Sequence, residues 1–122
     1  MSGAALLLLT MLEVKHLLFD FVFQSLYHVR NKGTYGHPGG LAHSGLHVLG
    51  TSAALALVAP RLSLAVAILA GEFVIHYHVD WGKEQIMRRR DGVHDAFFWR
   101  MMGLDQFLHQ LTYVAIVAIL FL

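Results

Sequence analysis

The stretch Leu62–Lys83, LSLAVAILAGEFVIHYHVDWGK, decides how this chain is read. Its apolar run, from Leu62 to about Trp81, has the ~20 residues a helix needs to cross ~30 Å of hydrocarbon. The run ends on His76 and Asp80, which are four residues apart. That spacing places both on one helix face with Cβ atoms ~5–6 Å apart. An apolar helix that carries an ionisable pair near one end is the unit from which the rest is built.

Working outward, three more apolar runs appear, from Ala4 to Tyr27, from Leu41 to Ala59 before Pro60, and from Leu104 to Leu122. In lipid the backbone polar groups need internal partners, so these runs are expected to be helices. The expectation is an all-α integral membrane four-helix bundle, one domain over 1–122, with helices at about 4–27, 41–59, 62–82 and 104–122. Hydrophobic residues make up 57% of the chain and charged residues 14%, where a soluble domain carries about a quarter charged. The first run lacks the basic n-region of a cleavable signal. No repeat or low-complexity tract is present.

Arg30, Lys32, Lys83, Arg88, Arg89, Arg90 and Arg100 fall in the first and third connections, against Arg61 alone in the second. The positive-inside rule then turns both termini away from the cytoplasm and places Trp81 and Trp99 at the cytoplasmic interface. In the third connection Asp91-Gly92 reads as a turn. Val93, Phe97, Phe98, Met101 and Met102 follow with helical spacing. They imply a short helix between the third and fourth spans, either amphipathic and interfacial or packed on the bundle end. Gly50, Ala54, Ala65, Ala70 and Gly71 would permit close helix approach.

Each apolar run carries one pair at i, i+4: His16 with Asp20, His43 with His47, His76 with Asp80, and Asp105 with His109. The inferred topology brings all four pairs to the cytoplasmic half, the first deeper than the others unless its helix ends near Gln24. Intramembrane carboxylates are costly, ~2.5–3.5 kcal/mol each at a helix centre, so a compensated cluster is expected. Cysteine is absent, which leaves imidazole and oxygen as ligands. That set suits zinc, iron or manganese, as one or two divalent ions. Two divalent ions with a bridging hydroxide balance Asp20, Asp80 and Asp105. Three protonated histidines would balance them equally in a metal-free ion-pair network. Haem with axial histidines is a further alternative, which leaves the aspartates unexplained.

Gln24, Lys83 and Gln106 adjoin these faces and are candidates to orient ligands or bind a cofactor or substrate. Lys83 also reads as a snorkelling interface lysine. Lys15 and Glu72 should meet as an ion pair, and Glu13 shares the face of His16. His28, His37 and His94 fall in or beside loops, and His78 faces away from His76 and Asp80. These four are set aside.

At these residues the sequence resembles domain-of-unknown-function family 3307. The matching signatures are His16-Leu-Leu-Phe-Asp20-Phe21 with Gln24, His43 with His47, His76-x-x-x-Asp80-Trp81-x-Lys83, and Asp105-Gln106-x-x-His109. His78 departs from the family pattern, which is usually apolar there. The resemblance implies a multi-pass protein of the bacterial inner membrane with no assigned activity. More loosely, the pattern is similar to membrane-bound metal-dependent hydrolases.

Two functions of different class follow. One is a metal-dependent hydrolase acting on a lipid or lipid-linked phosphate or ester, with the basic connections drawing anionic headgroups. The other is a non-enzymatic subunit of a larger membrane complex or homo-oligomer, with the cluster as glue. A haem-binding electron-transfer subunit is a third. No catalytic residue is singled out, and no nucleic-acid partner is expected. Phosphate-binding loops, nucleophile elbows and dinucleotide fingerprints are absent from the sequence.

Overall fold

Ser2 starts the first helix: its hydroxyl accepts the Ala5 N–H at 3.2 Å, and helix α1 runs over Gly3–Leu17. In this computed structural model, which describes residues 2–90 and 92–122, α1 widens into a π-helical turn at Leu18–Val22. That turn is closed by the Phe23 N–H donating to the Leu18 carbonyl at 2.7 Å. The chain then breaks, and Ser25 caps a separate short helix, α2, at Leu26–Asn31. The single helix expected over 4–27 is therefore corrected. Its apolar run is continuous, but the helix ends at Val22.

Helix α3 covers Pro38–Leu55. His37, one of the histidines set aside, accepts the Gly39 N–H at 3.0 Å and so caps α3, with Pro38 supplying a pre-set first-turn dihedral. The helix ends before Ala59, whose φ of 44° and following proline prevent continuation. Helix α4 spans Leu62–Met87 and helix α5 spans Ala96–Phe121. The separate short helix expected before the fourth span is also corrected. Phe97 to Met102 form the opening turns of α5 itself. Asp95 caps them, and Gly103 is tolerated within the helix at ~1 kcal/mol. The expected Asp91-Gly92 turn lies partly outside the described residues, since Asp91 is not among them. Gly92 has φ 73°, as a turn glycine would.

Among the described residues, α4 and α5 are the two helices that by length and composition are apolar enough to cross a membrane. Helix α1 packs on α3 and α5, and α4 packs on the same two. The four long helices thus close a ring in the order α1, α3, α4, α5, with α2 lying on α3. No strand occurs among the described residues.

Along its length the interior changes character. At one end Ala5, Leu8, Leu12, Ala54, Leu55, Ile68, Ile116 and Val117 form an apolar core, with Tyr113 at its polar boundary. At the other end the buried side chains are charged or polar, from His16 and Asp20 to Asp105 and His109. The outer surface is apolar: Leu7, Leu17, Leu49, Val66, Phe107 and Ile119 are all exposed.

Gly50 is the close-approach residue of the α1–α3 contact, because a Cβ there would lie 2.5 Å from Lys15 Cγ. Gly71 has nothing within 4 Å of such a Cβ, so the packing role expected of it is not found.

Candidate metal centre

Each pair is delivered by the helix end that lies in the polar half: the last turn of α1, the first turns of α3, the later half of α4, and the first half of α5. All eight side chains (His16, Asp20, His43, His47, His76, Asp80, Asp105, His109) are at most 6% exposed. Asp20 sits in the π-helical turn, a local widening that recurs at functional sites. The end of that helix at Val22 also removes the depth discrepancy of the first pair.

Two carboxylates organise the imidazoles. Asp20 Oδ1 lies 2.9 Å from His47 Nε2 and 3.0 Å from His43 Nε2, and Asp20 Oδ2 lies 3.2 Å from His16 Nε2. Asp80 Oδ2 lies 3.3 Å from Nε2 of both His43 and His76, and Asp80 Oδ1 lies 3.6 Å from His109 Nε2. The rings crowd: centroids are 4.0 Å apart for His47 and His76, and 4.2 Å for His76 and His109.

Of these contacts the His47 Nε2–Asp20 Oδ1 pair is a hydrogen bond; the rest are proximity alone. His43 Nε2, His76 Nε2, His109 Nε2, both Asp80 oxygens and Asp105 Oδ1 are buried with no hydrogen-bond partner. Leaving one such atom unmade costs ~1–3 kcal/mol, and more for a charged group. Two sets of ligand atoms converge closely enough to share an ion: Asp20, His43, His47 and His76, and then His76, Asp80 and His109.

His16 and Asp105 stand beside these sets. Both His16 nitrogens are engaged, Nδ1 with the Tyr113 hydroxyl at 2.9 Å and Nε2 with Gln106 Oε1 at 2.7 Å. Asp105 Oδ1 lies 3.8 Å from His109 Nδ1, which instead meets the Asp105 backbone carbonyl at 2.8 Å.

Of the three orienting candidates, Gln106 is the best placed. Its amide donates to Asp105 Oδ2 at 3.0 Å and to Asp20 Oδ2 at 3.4 Å. Lys83 turns inward, 3.5 Å from Asp105 Oδ2, rather than snorkelling outward. Gln24 donates to the backbone carbonyl of Asp20 at 2.6 Å, so it closes the π-helical turn and touches no ligand side chain.

Lys15 and Glu72 meet at 2.6 Å, as their shared depth required. Thr51 donates to the same Glu72 oxygen at 2.9 Å. Glu13 is half-buried and has no ion-pair partner among the described residues. His78 is exposed and pairs with the Tyr35 hydroxyl at 2.9 Å. His94 is exposed beside Phe98. His28 lies 5.8 Å from the His43 ring; burial, with His43 and Lys32 nearby, holds its imidazole below the usual range.

Three residues of the cluster escaped the sequence reading. Lys32, counted among loop cations, is 5% exposed with Nζ 3.3 Å from Asp80 Oδ2. Tyr113 and Thr51 continue the four-residue spacing of Asp105/His109 and His43/His47 by one more turn, a signal that was present. For Lys32 the sequence offered none.

Fold and site together define a class: an all-helical protein, two of its helices long and apolar enough to cross a membrane, with buried His/Asp groups that could hold a metal ion. The chain belongs to the family described as Protein of unknown function (DUF3307), whose family model matches residues 7–122. No curated protein and no solved structure matches it.

Proposed function

We propose that this is a four-span membrane protein that holds a divalent metal, zinc, iron or manganese, in its polar layer and uses it to hydrolyse a lipid or lipid-linked phosphate or ester. One observation carries the metal: unpartnered Nε2 atoms of His43, His76 and His109 meet the unpartnered oxygens of Asp80 in a site at most 3% exposed. A protein interior leaves such atoms unpaired rarely, and a bound ion is among the ordinary explanations. The membrane reading is supported by the inversion of the fold, apolar outside and charged inside, which suits lipid as solvent. The lysine and arginine asymmetry then turns both termini to the non-cytoplasmic side of a bacterial inner membrane.

When bound, such an ion supplies Lewis acidity and lowers the pKa of a bound water. The chain's own groups hold the ligands: Gln106 links Asp20 to Asp105, and Tyr113 orients His16. Haem gains no support, because imidazole centroids 4.0–6.3 Å apart leave no gap for a macrocycle. A second reading is favoured by the three lysine–carboxylate pairs, Lys15–Glu72, Lys32–Asp80 and Lys83–Asp105. They would serve equally as glue in a non-enzymatic subunit of a larger complex or homo-oligomer.

Elemental analysis of protein purified in mild detergent separates these. Bound metal, with chelator-sensitive hydrolysis of lipid phosphates or esters in vesicles that His47→Ala and Asp80→Ala abolish, is the expected result. Metal-free, folded protein would defeat the metal, and metal without turnover would defeat the hydrolase.

A further inference from the structure

The departure of the chain from one long first helix has a consequence at the centre. After the π-helical turn, α2 packs on α3 and delivers Lys32 just past its last residue. The following loop is strapped to α4: the Gly33 carbonyl accepts from Gln85 at 2.7 Å and Arg88 at 2.8 Å, and the Gly36 N–H donates to the Tyr77 hydroxyl at 2.6 Å. These contacts hold the lysine stem inward, and its ammonium group ends 3.3 Å from Asp80 Oδ2.

Charge then limits what else fits. Among the described residues of the polar half, the ammonium groups of Lys15, Lys32 and Lys83 face the carboxylates of Asp20, Glu72, Asp80 and Asp105. Counting the buried carboxylates alone, without the partly exposed Glu84 that also lies 3.5 Å from Lys83, and with neutral imidazoles, the set lacks a single positive charge, and the buried carboxylate without a lysine is Asp20. One divalent ion carrying one anionic ligand supplies that charge. Two divalent ions, even with a bridging hydroxide, leave an excess of two positive charges in a desolvated site, which burial penalises by several kcal/mol per ion.

We propose that Lys32 is the second cation of this centre: the site takes one divalent ion, and the Lys32 ammonium holds the place beside Asp80 that a second ion would otherwise take. The inference rests on the metal reading above. It replaces the two-ion balance that the three aspartates suggest by themselves.

The test is metal stoichiometry of the full chain in detergent, saturated with zinc and freed of excess. Wild type should retain one zinc per chain, Lys32→Gln should take up a second, and Lys32→Arg should return to one. Two zinc ions in wild type, or one in folded Lys32→Gln, overturns the proposal while the metal reading stands. No zinc in wild type removes the metal reading itself, and this inference with it. X-ray absorption on the zinc-loaded wild type is independent of how the variants fold. A metal–metal vector at ~3.5–4 Å, the spacing of two-metal sites, would overturn the proposal, and zinc with only nitrogen and oxygen neighbours supports it.

Discussion

The two halves of this ring are built on opposite economies. In the apolar half Leu8, Leu12, Ala54 and Ile116 interlock with no polar partner to satisfy. In the polar half nearly every buried side chain is ionisable, and several of their atoms remain unpaired. Packing alone stabilises the first, and similar residues of equal volume would replace one another there at small cost. The second is held together by groups that are expensive to bury singly and tolerable only as a set. The fold is therefore secured by packing at one end, and the other holds the buried His/Asp groups that could hold a metal ion.

The sharpest way to break that contrast is Asp80→Ala against Leu12→Ala. Removing Asp80 takes away the carboxylate beside Lys32, His76 and His109, and one of the two beside His43. Breaking a buried pair in this way costs ~3–5 kcal/mol, and metal retention should be abolished. Leu12→Ala, at a side chain with 0% exposure, leaves a cavity that costs ~2–5 kcal/mol while metal content holds at the wild-type level. Unfolding in detergent and elemental analysis, run on both, decide it. Loss of metal in folded Leu12→Ala would show that the halves are not separable.

A smaller effect sharpens the boundary between them. Gly50→Ala would press a Cβ onto Lys15 Cγ at 2.5 Å and Phe19 Cε2 at 2.8 Å, an overpacking of ~1–3 kcal/mol. It should also displace Lys15 from Glu72. Gly71→Ala meets open space and should be neutral or gain up to ~1 kcal/mol of helix propensity. Equal melting temperatures for the two variants would refute the close approach.

Smaller again is Tyr113→Phe. It removes the partner of His16 Nδ1 at the seam of the halves, a hydrogen bond worth ~0.5–1.5 kcal/mol. If the tyrosine orients the centre through His16, zinc affinity falls ~10–100-fold; unchanged affinity makes the bond purely structural. Competition with a chelator of known zinc affinity reads this directly.

What the sequence disclosed follows the same division. Four-residue spacing is a local property, so the eight ligand candidates were legible from helix periodicity, and the Lys15–Glu72 pair followed from their similar depth on two helices. Where a helix stops was harder to see. Phe21-Val22-Phe23 continues the apolar run without a proline or glycine, yet the helix ends there. What positions α2 is remote, namely Gln85, Arg88 and Tyr77 holding the Gly33–Gly36 loop. Lys32 was counted for its sign and not for its place, since the positive-inside rule sums charges without asking where a side chain turns. The start of α5 was missed for a related reason. The apolar run starts at Leu104, so the span was begun there, and the true boundary is the Asp95 cap. The first of these failures falls within the polar cluster itself, since the π-helical turn carries Asp20.

The Asp95 cap gives the smallest test, at the rim of the polar half. Its carboxylate accepts the Phe98 N–H at 3.0 Å and pairs with Arg90. The Phe98 N–H above all, with Arg90, holds its carboxyl below the usual carboxylate range, against an opposing effect of desolvation. A depressed folded-state pKa means the cap's contribution is present above the unfolded value of about 4 and is lost as pH falls through the lower folded value. Amide exchange over Ala96–Phe98 should therefore quicken relative to the rest of α5 on acidification, and Asp95→Asn, which keeps an accepting oxygen without the charge, should flatten that dependence. The apolar half should show no such response. If exchange at Leu8 and Ile116 followed the same acid profile, the two ends would be melting as one unit, and the division of the ring into a packed half and a charged half would lose its meaning.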